Sequence, residues 1–155
     1  VIRLQRELLV ERPPSEVFAL VSDPGRYPEF FAGITRWEIL PGKRRGVGAR
    51  YRVLVRSGSI EAGGRVRVTE WKKDRTIAWV AEQGIDFGGR WTLTPVADAT
   101  ELQLEIHYDL GGGLPGALVE RITGRTTGRN MTATFLAVRR MVEHEQRPAK
   151  ATRKR

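Results

Sequence analysis

Cysteine is absent from the 155 residues, which excludes a disulfide framework, a thiolate nucleophile and any cysteine-ligated metal. Histidine is nearly absent. His107 and His144 are the only two, too far apart in sequence for metal-ligand spacing and without a neighbouring partner, so no metal site is expected. No apolar run approaches the roughly 20 residues of a membrane span. The opening residues lack a signal-peptide pattern, and with Val1 as the first residue an initiator or short leader is expected either to have been removed or to lie outside the residues given. The compartment expected from these features is the cytoplasm. Ser57 and Ser59 lie in a turn without a nucleophile-elbow context. Gly111-Gly112-Gly113 precedes a helical stretch but lacks the Lys-Ser/Thr pair of a phosphate-binding loop. No cofactor is implied.

Positive charge is abundant: 27 Lys and Arg against 18 Asp and Glu give a formal +9. Arg147, Lys150, Arg153, Lys154 and Arg155 belong to an acid-free end, and without them 22 basic residues face 18 acidic ones. The chain therefore divides into one domain over 1–146 and a basic, solvated, disordered tail over 147–155. A phosphate- or lipid-contacting role for that tail is the alternative. The apolar share of 40% is that of an ordinary globular domain, and the length suits one domain rather than two.

Residues 2–11 alternate apolar and polar side chains, as a half-buried strand does, with Arg6 falling among the apolar Ile2, Leu4 and Leu8. Pro13-Pro14-Ser15-Glu16 starts a short helix, because proline is tolerated in a first turn and the acid suits the N-terminal dipole. A compact turn or helix comes next at Tyr27-Pro28-Glu29-Phe30-Phe31. Six more strands are expected, over 35–40, 48–56, 64–71, 76–83, 89–94 and 101–110. Their short, turn-rich connections, Gly88-Gly89 among them, make successive strands antiparallel neighbours. From Pro115 to Glu145 the period is helical, for about 45 Å. Leu118 and Ile122 lie on one side of this helix; Met131, Phe135, Val138 and Val142 lie on nearly the other. A kink or break is therefore expected within Gly124–Gly128, with a movable flap before it and the packing face after it. The order implies an α+β fold, a curved seven-stranded antiparallel sheet covered by a long C-terminal helix.

Pro13-Pro14-Ser15-Glu16-Val17-Phe18 followed by Asp23-Pro24-Gly25-Arg26-Tyr27-Pro28-Glu29-Phe30 resembles the opening of the polyketide cyclase/dehydrase branch of the START-like (SRPBCC) superfamily. That branch is similar to the coenzyme-Q-binding START proteins and, more remotely, to the birch-pollen-allergen fold. The resemblance implies a helix-grip fold with an apolar ligand cavity between sheet and helix. It implies little about function, since the superfamily hosts carriers, cyclases and hydrolases.

The inward positions expected to line such a cavity are Trp37, Tyr51, Val53, Val66, Val68, Trp79, Trp91, Ile106 and Tyr108. Phe30, Phe31, Met131 and Phe135 close its ends. Rings of this kind suit a flat, ring-bearing apolar ligand, and they also suit a solid core. Arg6 and Glu70 fall at inward register. They form a buried pair, orient a ligand's carbonyl or hydroxyl, or mark a register misread at a bulge. Arg125, Arg129 and Asn130 at the expected break suit an anion at the entrance, or are solvated helix-face residues. Three functions remain open: a carrier or sensor of a lipid, quinone or polyketide-like aromatic; an aromatase/cyclase using Tyr108 and Glu70; and a nucleic-acid-binding protein. The last is suggested by outward Arg50, Arg52, Arg65 and Arg67 and by a resemblance to toxins acting on ribosome assembly, and is weakened by the lack of interleaved aromatics. Oligomeric state is not readable.

Overall fold

Alternation along each strand leaves one apolar sheet face, and the long final helix covers it. The computed structural model describes residues 2–57, 60–84, 86–109 and 116–145, with backbone alone for 57, 60, 62, 84, 116–127 and 145. Strand β1 (Ile2–Val10) leads into α1 (Pro14–Val21), a 3-10 turn (Pro24–Arg26) and α2 (Tyr27–Phe30). Then come β2 (Ile34–Ile39), β3 (Arg50–Ser57), β4 (Ile60–Lys72), β5 (Thr76–Gly84), β6 (Asp86–Val96) and β7 (Ala99–Asp109). Helix α3 (Gly116–Arg140) ends in a π-helical turn, Met141–Glu145. All seven strands form one antiparallel sheet in the order β1-β7-β6-β5-β4-β3-β2. The two short helices carry the chain from one sheet edge, β1, to the other, β2. This is the helix-grip arrangement.

The sheet curls because extra residues interrupt its ladders. Register shifts occur between Ile34 and Arg36 in β2, and twice in β4 against β5, between Arg65 and Val66 and between Val68 and Glu70. A bulge bends its strand and raises the local twist. The second β4 bulge also reverses the facing of the residues after it. Glu70 turns outward, where it meets Arg90 and, at 3.3 Å, Lys72, while Trp71 turns inward. The inward position expected for Glu70 is thus corrected by a one-residue insertion, which alternation alone does not reveal. Arg6 keeps its inward register opposite Leu104, but it is exposed and does not pair with Glu70. Its guanidinium lies 3.1 Å from where a Cβ on Gly128 would stand and donates to the Gln5 carbonyl at 2.9 Å. The missing side chain at Gly128 lets the arginine pass beside the helix to solvent.

Two further expectations change. Gly88 and Gly89 are not a connection but lie within β6, where the missing side chains admit close neighbours. A Cβ on Gly89 would collide with the Trp79 indole, and one on Gly88 would stand 2.7 Å from the Trp79 carbonyl. Helix α3 also runs without a break through Gly124–Gly128. The expected flap over its first half, and the basic tail, lie outside the described side chains and residues. The second half packs as its pattern implies: Met131, Phe135, Val138 and Val142 are buried, together with Met141. Its end is pinned across the fold, since Glu143 accepts from the Glu11 backbone N–H at 2.7 Å and from Arg12 at 3.1 Å through its carbonyl.

Candidate functional site

Between the concave sheet face, α2 and the middle of α3 lies a partly open cavity of about 150 Å³. That is the size of a cavity known to accept a single benzene ring when its lining is apolar. Eight aromatic side chains line it, among them all three tyrosines. Helix α2 and the residues beside it contribute Tyr27, Phe31 and Ala32. Strands β2 and β3 contribute Trp37, Tyr51, Val53 and Val55. The curled middle of the sheet gives Val66, Val68, Trp71, Ile77 and Trp79, and the β6–β7 end gives Phe87, Ile106 and Tyr108. Asn130, Met131 and Thr134 of α3 form the roof.

One wall is a stack of rings. Trp37 lies over Tyr51 with centroids 4.9 Å apart and planes 24° from parallel, and Tyr27 leans on the same indole at 4.9 Å and 38°. The polar tips of Trp37 and Tyr51 are committed to backbone. Trp37 Nε1 donates to the Pro24 carbonyl at 2.8 Å, and the Tyr51 hydroxyl donates to the Arg44 carbonyl at 2.7 Å. Burial pushes the Tyr51 phenol up to about 12, against the opposing influence of the Arg45 and Arg44 charges. Tyr27 is raised further, by burial first and then by the neighbouring Tyr51, with a small opposing effect from the Trp91 indole. Both phenols therefore stay protonated at neutral pH and act as hydrogen-bond groups, not bases. Although Tyr27 is densely surrounded, part of it remains accessible, because it borders the cavity.

The roof is fixed by a cluster joining three elements. Thr134 accepts from the Ala32 N–H at 2.9 Å and donates to the Asn130 carbonyl at 2.8 Å, and Asn130 donates to the Arg56 carbonyl at 2.9 Å. Gly33 sits beneath it with φ +93°, and a Cβ there would stand 2.7 Å from Asn130 Nδ2. Glycine is required at that position both for its backbone angle and for its size.

Of the positions singled out from sequence, Trp37, Tyr51, Val53, Val66, Val68, Trp79, Ile106, Tyr108, Phe31 and Met131 come together around the cavity. Phe30, Trp91 and Phe135 do not line it; they are core residues, 2%, 0% and 3% exposed. Trp91 meets Phe31 and Phe135 edge-on at 6.4 and 6.0 Å. Arg129 is exposed and, like Arg6 and Glu70, stands apart from the lining. Sequence reasoning passed over Tyr27, Trp71 and Phe87. Trp71 is hidden by the bulge. Phe87 was legible, because the alternation Phe87, Gly89, Trp91, Leu93 continues through the glycines once they are read as strand. Among the described residues no group of histidines and acids is arranged to hold a metal ion, and no helix is long and apolar enough to cross a membrane.

Solved structures share this architecture. A protein from Thermus thermophilus superposes with a TM-score of 0.77 at 17% identity, covering 91% of this chain and 97% of that one. The aromatase/cyclase Zhui from Streptomyces sp. R1128 superposes at 0.76 with 21% identity, covering 96% and 97%. A START superfamily protein from Mycobacterium smegmatis gives 0.73 at 20% identity, covering 91% and 97%. At these identities the likeness is one of fold. No curated protein sequence matches the chain. Residues 1–143 match the family described as polyketide cyclase/dehydrase and lipid transport, and the chain belongs to that family.

Proposed function

We propose that the protein binds a flat, ring-bearing hydrophobic molecule in the cavity between its sheet and α3, as a carrier or sensor. The observation that carries this reading is the lining: eight aromatic side chains around a space of about 150 Å³. Large rigid rings offer apolar area and stacking faces at little conformational cost. An extended acyl chain would gain less from a wall of stacked rings than another ring does.

The aromatase/cyclase alternative needs a general acid or base within reach of substrate. Tyr108 lines the cavity, but Glu70, the carboxylate that reading relied on, stands on the opposite sheet face beside Arg90 and Lys72. The described lining holds no carboxylate, histidine or lysine. The nucleic-acid alternative relied on the basic tail, which lies outside the described residues, and on outward arginines. These are engaged with acids: Arg50, Arg65 and Arg67 meet Glu82 at 2.8, 3.8 and 3.6 Å, and Arg52 meets Glu38 at 3.6 Å. The lining thus favours ligand binding over both.

The test is native mass spectrometry of the protein from its own host with organic extraction, joined to titration by bicyclic aromatics followed through tryptophan fluorescence. Three of the four tryptophans line the cavity, so saturable one-to-one quenching is expected. Val53→Trp, which fills the space with an indole, should abolish it. Absence of saturable quenching, or quenching unchanged in a folded Val53→Trp protein, overturns the reading.

A further inference from the structure

At the end of the sheet where β3 begins and β4 ends, positive charge is left without a partner. The loop before β3 carries Lys43, Arg44 and Arg45, and the turn after β4 adds Lys73 and Arg75, all exposed. None of the five meets a carboxylate in an ion pair among the described residues. The arginines of the outer sheet face differ, since Glu82 and Glu38 engage them. The acids beside the loop and turn are fewer: Asp23, which accepts from the Gly25 N–H at 3.0 Å, and Asp74 within the turn itself. Glu29 is taken by Arg26 at 3.2 Å.

The loop is fixed in shape. Gly46 and Gly48 take φ of +89° and +93°, a backbone that glycine adopts without strain. The Gly48 N–H donates to the Val68 carbonyl at 2.9 Å, and the Ala49 N–H to the Gly46 carbonyl at 3.1 Å. Lys43 Nζ reaches the Val47 carbonyl at 3.2 Å. Held between the two glycines, the Val47 side chain stands 48% exposed. A lone exposed valine is ordinary. One fixed beside unpaired cations suits an anionic bilayer, which offers charge at its headgroups and apolar volume beneath them. A nucleic acid offers the charge but rewards stacking rings, and the loop has none.

We infer that the loop over residues 41–48 docks the protein on an anionic lipid bilayer, with Lys43, Arg44 and Arg45 at the headgroups and Val47 beneath them. Lys73 and Arg75 add to the same basic end. The loop also adjoins the cavity wall. Tyr51 donates to the Arg44 carbonyl, and the Arg44 guanidinium lies over Gly25, 2.7 Å from where a Cβ would stand, next to Pro24 of the lining. Under the cavity-binding reading above, docking sets the stacked rings beside the membrane surface, where a hydrophobic ligand is taken up or released. Docking itself needs no ligand, so its failure and the failure of that reading are separate results.

The experiment is co-sedimentation of the full chain with vesicles of phosphatidylcholine alone and of phosphatidylcholine mixed with phosphatidylglycerol, at low and high salt. Wild-type protein should bind the mixed vesicles, release them as salt rises, and ignore the neutral ones. Each Lys or Arg at an anionic surface is worth about fivefold in partitioning. Lys43→Gln/Arg44→Gln/Arg45→Gln should therefore lose about a hundredfold, while its melting temperature stays that of wild type. This variant keeps the basic C-terminal end, so unchanged binding assigns the attraction elsewhere and overturns docking through the loop. In Val47→Trp the new indole should be quenched, beyond any quenching of wild-type protein, by lipid brominated along its acyl chains. That readout does not depend on the triple variant folding, and its absence on bound vesicles also overturns the loop's role. Wild-type protein that binds an RNA oligonucleotide but not the mixed vesicles overturns docking in favour of a nucleic acid. Protein that binds neither overturns it outright.

Discussion

Individual residues set the cavity's walls through what they omit as much as through what they present. Gly89 is opposite Trp79 in the β5–β6 ladder, and its empty face lets the indole lie against the strand. Gly89→Ala would drive a methyl into that ring, and overpacking of this kind costs about 1–3 kcal/mol. Urea denaturation should show that loss, and tryptophan emission should report the displaced indole. Tyr51→Phe keeps the ring stack with Trp37 and removes only the bond to the Arg44 carbonyl. Its expected cost is about 1 kcal/mol, and a loss well above that would show that the hydroxyl also orders the loop containing Arg44.

Elements show where alternation is a sufficient guide and where it fails. The buried face of strand β7 was legible, because Leu102 and Leu104 are buried at a strict period of two against exposed Glu101, although the strand begins two residues earlier than expected. Strand β4 was legible only as far as Val68; beyond it one inserted residue moves Glu70 to solvent and Trp71 to the cavity. Nothing in the local composition marks that insertion, since its cause is the curvature of the whole sheet. In α3 the second half read correctly for the same reason as β7, a stripe packed on the sheet. The run of Gly and Thr at Gly124–Gly128 suggested a break because intrinsic propensity there is poor, yet propensity is a weak force beside continuous backbone hydrogen bonding and packing at the far end. A pair of neighbouring substitutions tests the stripe. Phe135→Ala empties a site 3% exposed beside Trp91 and should cost about 3–5 kcal/mol. Leu136→Ala, at a site 49% exposed, should stay within about 0.5 kcal/mol in the same denaturation experiment. Comparable losses at both would contradict the face assigned to the helix.

Across the whole molecule, the outer sheet face carries ladders of charged side chains and the inner face carries the tyrosines, so acid and alkali act on different parts of the fold. The outer face carries like charges directly opposite one another, Arg50 with Arg67 and Arg52 with Arg65, an unfavourable arrangement. Glu82 offsets it by meeting three of these arginines, and Glu38 meets the fourth. The Glu82 carboxyl is held below the ordinary value of 4.5, chiefly by its hydrogen bond from Arg50. The Glu70 carboxyl is lowered likewise, chiefly by Arg90, and Glu29 by Arg26. A depressed carboxylate adds stability that is complete above the unfolded value and is lost as pH falls through the folded one. Thermal stability should therefore decline below about pH 4.5. Glu82→Gln should melt earlier at neutral pH, most clearly at low salt where the freed arginines repel one another unscreened, and should show a shallower acid decline. The inner face behaves in the reverse sense. Tyr51 rises from 10 to about 12 on folding, so its contribution is complete below pH 10 and is lost between 10 and 12, with Tyr27 extending the loss further. Circular-dichroism melts across both limits check this division. In Tyr51→Phe the alkaline decline should be shallower while the acid decline is unchanged, and in Glu82→Gln the opposite should hold. A variant that flattened both limits at once would mean that the two faces do not act separately.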